Sequence, residues 1–339
     1  MIKNNIDNVM RRNVYVKNLP EYVQIEPTVR CNANCRMCNR MLSGRLEGDL
    51  SFERFVYIIK QLPSVKSVLL QGVGEPLLNP HFFDMVNYLK DKNIKVYTST
   101  NASLIDKDIA RKIVESQIDE VRISLDAVTP EKYEYIRRGL KFNHVKENIM
   151  CLSKTKKELN SELPDVQFSV VGMMYNLEEL PQIVEFAYKV GVSYIHVLNL
   201  FLTGYKLGTK ENSLAYNYDA KVQKILSKTK RLCEKYGIKY TAPVFDYDAT
   251  KKLVLQCKWP WKWTNITYDG YVTPCCVIDN PKILNMGNVF EEGFQTIWNN
   301  GRYRNFRAQF LLGKIPSVCR QCLDNRFILR QYGGQKDVE

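Results

Sequence analysis

Residues 22–38 read YVQIEPTVRCNANCRMC. Tyr22, Val23 and Ile25 suit a short β-strand, and that strand runs straight into Cys31, Cys35 and Cys38. The CxxxCxxC spacing gathers three thiols, but no fourth follows nearby. Three readings fit. A structural zinc site needs four ligands, usually from paired CxxC or Cys/His knuckles, and histidine is scarce (His81, His144 and His196). Buried structural thiols need an apolar context, whereas CNANCRMCNR is polar. An iron–sulfur cluster with one iron left open makes use of the vacancy, because an open position on a metal can bind a substrate or cofactor directly.

Outward from this loop the chain alternates two periods. VKSVLLQG (65–72), IKVYTST (94–100), EVRISLD (120–126), VQFSVVGMM (166–174) and VSYIHVLNL (192–200) read as strands. Amphipathic stretches separate them: 51–62 with Ser51 as cap, 79–93 with Asn79 as cap and Pro80 at the first helical position, 106–117, 142–159 and 176–191. This order suits right-handed crossovers and a parallel sheet. About six strand–helix units are too few for a full eight-fold barrel. The expected fold is therefore α/β, a partial (β/α)6 TIM-like barrel whose loops after the strands carry the chemistry. An irregular connector (203–218) and a polar helix (219–237) follow. Beyond about 245 the βα alternation gives way to aromatics, glycines and cysteines.

CxxxCxxC after a first strand resembles the signature of the radical S-adenosylmethionine (SAM) superfamily, and further segments agree in order. QGVGEPLLNP (71–80) resembles the family's Gly-Gly-Glu-Pro motif, with Val73 in place of the first glycine. TSTNASL (98–104) resembles the loop after the third strand, and SLDAVTPEKYEYIRRG (124–139) the fourth strand and its Arg-Gly. The resemblance implies that Cys31, Cys35 and Cys38 hold a 4Fe–4S cluster whose open iron takes the amino and carboxylate groups of SAM. It implies Glu75 as acceptor for the amino group, with Gly74 allowing close backbone approach. It also implies Arg138 and Ser124 at the carboxylate, and Asn101 or Asp126 at the ribose. Arg137 is an adjacent substitute for Arg138, and Asn176 and Leu198 are weaker candidates to border SAM. Reductive cleavage of SAM to a 5′-deoxyadenosyl radical and abstraction of a substrate hydrogen atom follow, with flavodoxin or ferredoxin as electron donor.

The C-terminal cysteines form a second set. Cys257, twelve residues, Gly270, four residues and Cys275 resemble the opening of a SPASM domain, and SVCRQC adds Cys319 and Cys322. Gly270 fits a tight turn between two strands. The tail 323–339 has no cysteine, so the resemblance is to the shortened, twitch form with one auxiliary 4Fe–4S cluster on Cys257, Cys275, Cys319 and Cys322. Such a closed cluster suits electron relay or a structural role, and a four-cysteine zinc knuckle is the alternative. Cys151 and Cys233 read as core. If Cys276 lies on a strand, it faces away from its neighbour Cys275, into packing or toward the active site as a hydrogen-atom donor.

The chain has 339 residues, and 49 basic against 36 acidic side chains leave a net charge of +13. A basic surface favours anionic partners, but no block of like charge or Arg/aromatic interleaving points to nucleic acid. No apolar run is long enough to span a membrane, and the start lacks a signal peptide's apolar core. Ten cysteines in such a chain read as metal ligands of a cytoplasmic protein rather than a disulfide framework. The expected organisation is an N-terminal extension (1–21), a radical SAM partial barrel (22–240) and a SPASM/twitch domain (245–339). The expected reaction is oxidation or epimerisation of a sugar-like or other small substrate. Peptide modification is the alternative, weighed down by the thirty residues before Cys31, which are too few for a leader-recognition domain. A non-catalytic zinc or nucleic-acid-binding protein is the remote one.

Overall fold

The computed structural model describes residues 13–45 and 47–326. The expected extension (1–21) lies partly outside these residues, and the cysteine-free tail (323–339) mostly outside them. The described strands are β1 (Tyr22–Ile25), β2 (Ser67–Leu70), β3 (Lys95–Thr100), β4 (Glu120–Ser124), β5 (Asp165–Gly172), β6 (Tyr194–Asn199), β7 (Lys239–Thr241), β8 (Trp263–Ile266), β9 (Tyr271–Thr273) and β10 (Gly287–Asn288). The chain folds as two compact units.

One unit contains the described residues up to Arg30, with Glu47–Lys95 and Tyr247–Asp324. At its centre β1 pairs in parallel with both β2 and β8. β8 then pairs antiparallel with β9, and β9 with β10. Gly270 makes the β8–β9 turn at φ +90°, where an added Cβ would sit 2.3 Å from the Phe290 ring. Glycine is therefore required twice over, for its dihedral and for its bareness.

The other unit contains 31–45, 96–246 and the described residues from Asn325. Here β3, β4, β5, β6 and β7 pair in that order, all parallel. Side chains alternate across a sheet, and the register sorts them into two unlike faces. Val121 with Val166, and Ile123 with Phe168 and Ile195, form buried apolar rows. The helices pack on this face: the Phe168 ring stacks on Phe186 of the helix Leu180–Val190 at 5.9 Å. The opposite face is polar. One row across it is Ser99, Arg122, Gln167, Tyr194 and Lys239; the next is Ser124, Ser169, His196 and Thr241.

Of the two expected caps, Ser51 holds, with its Oγ accepting from Arg54 N; Asp106 and Asp219, not singled out in the sequence, cap their helices in the same way. Asn79 does not cap its helix, which begins at Phe82, two residues later than Pro80 implies. The Asn79 amide is taken by tertiary bonds to Pro27 O and Leu50 O, and its Oδ1 accepts from His81 N. A helix not expected from the sequence, Pro130–Ile136, opens with proline in its first turn. The helix Tyr247–Leu255 and the strand β7 were likewise unmarked. Cys233 is fully buried, whereas Cys151 is half-buried.

Candidate functional site

The loop of Cys31, Cys35 and Cys38 is clamped to the segment that closes the helix Pro130–Ile136. Asn34 N donates to Arg138 O at 2.7 Å, and Arg36 N to Ile136 O at 2.8 Å. The Arg36 guanidinium lies 4.3 Å over the Tyr135 ring. Gly139, at φ +99°, passes so near that an added Cβ would stand 3.3 Å from Asn32 O. Arg40 N donates to Cys38 Sγ at 3.4 Å. The charges of Cys31 and Cys38 act on Cys35, whose thiol burial pushes up to about 12. All three donors are thiols on one loop beside a buried cation.

That cation is Arg137. It is 7% exposed, its Nη2 is 2.7 Å from Asp126 Oδ2, and its Nη1 reaches Cys35 Sγ at 4.0 Å. Burial opposes its charge, but Asp126 and then Cys35 outweigh burial, and its pKa is raised. Asp126 is fully buried, with Oδ1 accepting from Val171 N at 2.8 Å. Expected at a ribose, the carboxylate is here bonded to Arg137 and to the end of β5. Asn176, also fully buried, donates to Asp126 O and Val171 O, so it too is committed inside the protein. Arg138 is exposed. Ser124 is half-buried on the polar face, at the end of β4. Asn101 Nδ2 donates to Asn32 Oδ1 at 2.9 Å, and its Oδ1 accepts from Ser103 N and Oγ, which ties the loop after β3 to the cysteine loop.

In the other unit, Gly74 and Glu75 close on the segment leading into Cys31. Glu75 N donates to Arg30 O at 2.8 Å. A Cβ on Gly74 would stand 2.4 Å from Arg30 O and 2.5 Å from Thr28 O. The glycine is therefore demanded by the protein's own backbone. The Glu75 carboxylate is 2% exposed and accepts from Leu77 N at 3.4 Å. Glu26, which the sequence did not single out, accepts from Val73 N and Tyr268 N and so ties this turn to the turn after β8.

The second cysteine set comes from three places. Cys257 follows the helix Tyr247–Leu255, Cys275 follows β9, and Cys319 and Cys322 lie on the turn Ser317–Cys319 and the helix Arg320–Asp324. Burial pushes Cys275 up to about 12, with Cys257 adding to it, and the N–H groups of Ile278 and Val277 oppose the rise. Burial raises Cys319 and Cys322 too, each with charge from Cys275 and Cys257. Thus the four thiols share one electrostatic neighbourhood. β9 ends at Thr273, so strand alternation does not govern Cys276. Burial raises its pKa, and the charges acting on it are those of Cys275, Cys322 and Asp279. The charges of two C-terminal cysteines therefore act on it.

Among the described residues, no three of His, Cys, Asp or Glu are gathered as a single metal ion requires. A cubane carries its irons at separate corners, so its thiolates stand further apart than those around one ion. All-thiol sets of three and four, with N–H groups directed at Cys38 and Cys275, have the chemistry of iron–sulfur ligands.

Comparisons with known proteins agree. The radical SAM superfamily model matches residues 25–196, half of the chain, and the SPASM iron–sulfur cluster-binding domain matches residues 257–323. The chain is 27% identical to a tungsten-containing aldehyde ferredoxin oxidoreductase cofactor-modifying protein of Pyrococcus furiosus, over 85% of this chain and 83% of that protein. It is 26% identical to an AdoMet-dependent heme synthase of Methanosarcina barkeri, over 91% and 93%. The fold matches Streptococcus suis SuiB bound to precursor peptide SuiA at a TM-score of 0.69 and 16% identity, over 89% of this chain and 69% of that one. The domains imply a SAM-binding 4Fe–4S cluster, an auxiliary cluster and SAM itself. The chain belongs to the radical SAM superfamily and carries a C-terminal SPASM domain.

Proposed function

We propose that this enzyme takes a hydrogen atom from a small, polar, sugar-like substrate and completes a two-electron oxidation. When bound, SAM and the open cluster supply a 5′-deoxyadenosyl radical, and the closed cluster is an acceptor for the electron left on the substrate. In this reading Cys31, Cys35 and Cys38 hold the open cluster, while Cys257, Cys275, Cys319 and Cys322 hold the closed one. Glu75, Asn101, Ser124 and Arg138 orient SAM, and Gly74 sets the Glu75 turn. Asp126 and Arg137 position the Cys35 loop. Residues 22–240 are then the radical-generating domain and 245–339 the auxiliary domain, after the extension 1–21. A flavodoxin or ferredoxin is the proposed electron donor.

The observation that carries the reading is the contrast between the two donor sets, three thiols against four. The half-buried hydroxyls of Ser124 and Ser169, paired across β4 and β5, support a polar substrate; His196 and Thr241 in the same row are buried and bonded to Gln167 and Tyr194. Two of the relatives are named for work on a cofactor and on heme. Oxidation is preferred to epimerisation because the strand that would turn Cys276 away from Cys275 ends at Thr273, and the charges acting on Cys276 are those of Cys275, Cys322 and Asp279. Peptide modification is kept as a second reading, since SuiB shares the fold and was crystallised with its precursor peptide.

Deuterated cell extract, separated into low-molecular-mass and peptide fractions, tests the substrate class. The low-molecular-mass fraction is expected to transfer deuterium into 5′-deoxyadenosine. Transfer from the peptide fraction alone sinks the small-molecule reading. With the substrate in hand, Cys276→Ala is expected to leave product formation intact; its loss, with 5′-deoxyadenosine still formed, restores Cys276 as a hydrogen-atom donor.

A further inference from the structure

Arg307, on the helix Gly301–Leu311, is fully buried. Its Nε donates to Pro260 O at 2.6 Å, and its Nη1 to Val14 O and Asn299 Oδ1, both at 3.1 Å. Its Nη2 has no hydrogen-bond partner among the described residues. The guanidinium lies 4.5 Å from the Trp298 ring centre and 4.7 Å from that of Tyr303. Every one of these partners is neutral. A cation held out of water against neutral groups alone is costly, and burial draws the Arg307 pKa down to about 10.

A continuous buried path leads from this cation to a cysteine. Tyr303 stands under the guanidinium, and its hydroxyl is 2.8 Å from Thr264 Oγ1. Thr264 Oγ1 donates to Thr273 O at 3.2 Å, and Thr273 Oγ1 donates to Cys275 O at 3.1 Å. Tyr303 therefore lies within reach of both charges: burial raises its pKa, Arg307 lowers it and Cys275 raises it. A 4Fe–4S core bound by four thiolates is a net anion, and each electron it accepts adds one more negative charge.

We propose that Arg307 is the buried counter-charge of the auxiliary cluster and raises its reduction potential, so that the cluster accepts an electron more readily. The proposal rests on the reading that Cys257, Cys275, Cys319 and Cys322 hold that cluster. Arg307 touches neither substrate nor cluster. It is a positioning residue whose charge acts through a dry, weakly screened interior.

The test is a potentiometric titration of the anaerobically loaded full chain carrying Cys31→Ala, Cys35→Ala and Cys38→Ala, so that only the auxiliary cluster reports. If that background binds no cluster, the ligand assignment itself fails, independently of Arg307. With the cluster present, Arg307→Gln is expected to lower the reduction equilibrium constant at least tenfold, which is about 59 mV for one electron. Arg307→Lys, which keeps the charge, is expected to recover most of that shift. An Arg307→Gln protein with full iron and an unchanged potential overturns the proposal. Thermal unfolding supplies a second readout. A counter-charge stabilises the loaded protein more than the iron-free one, so Arg307→Gln is expected to lower the loaded protein's Tm further. Equal losses with and without iron, or failure to fold in both states, assign Arg307 a purely structural role and overturn the proposal.

Discussion

Gly74 and the Asp126–Arg137 pair show how single residues set the cysteine loop. A methyl group at position 74 would collide with two backbone oxygens, Arg30 O and Thr28 O, rather than with a side chain that can swing aside. Gly74→Ala is therefore expected to displace the lead into Cys31, lowering the iron content of the loaded protein and abolishing SAM cleavage. Iron assay with 5′-deoxyadenosine detection checks it. Arg137→Met would leave Asp126 buried without its ion-pair partner, a loss of about 3–5 kcal/mol, to be read in urea unfolding of the iron-free protein. That Arg137 is buried and Arg138 exposed was legible in the sequence once the helix is recognised. Tyr133, Ile136 and Arg137 recur at the helical spacing of a buried face, and Arg138 falls off it. Asp126 was not legible, because its role depends on Val171 and Arg137 arriving from elsewhere in the chain.

At the scale of elements, the sheet β3–β7 owes its placement to its two faces. Phe168 lies on the apolar face, fully buried and stacked on Phe186. Phe168→Ala is expected to destabilise the protein by about 3–5 kcal/mol, measured by chemical denaturation. On the helix Ala220–Tyr236, burial pushes the Cys233 thiol from 9.0 up to about 12. The unfolded chain thus loses this proton first, and the folded state binds more protons above pH 9. Stability from this group is present below pH 9 and is lost as the pH rises through about 12. Cys233→Ala is expected to flatten that part of the alkaline Tm profile. An unchanged slope assigns alkaline loss to other groups. The strands β1–β6 were legible because β-branched runs alternate with capped helices. The start at Phe82 was not, because Asn79 serves Pro27 and Leu50 instead of its own helix. Nor was the position of Cys276, since β9 stops before it.

For the whole molecule, the decisive feature is that one chain carries two cysteine sets of different size. Both were legible, because the cysteines are grouped along the sequence and their spacing resembles the radical SAM and SPASM motifs. The polar rows across β3–β7 were not, because they come from strands far apart in sequence and align only through register. Nor was Arg307, whose partners span residues 14 to 303. Among the described residues, no helix is long and apolar enough to cross a membrane. The central claim is that the three-cysteine loop alone holds the cluster that meets SAM. Electron paramagnetic resonance of the reduced protein, with and without SAM, tests it in the wild type and in the Cys31→Ala, Cys35→Ala, Cys38→Ala variant. The account predicts that SAM alters the wild-type spectrum and leaves that of the variant, which keeps its auxiliary cluster, unchanged. A SAM-dependent change that survives in the variant would contradict it.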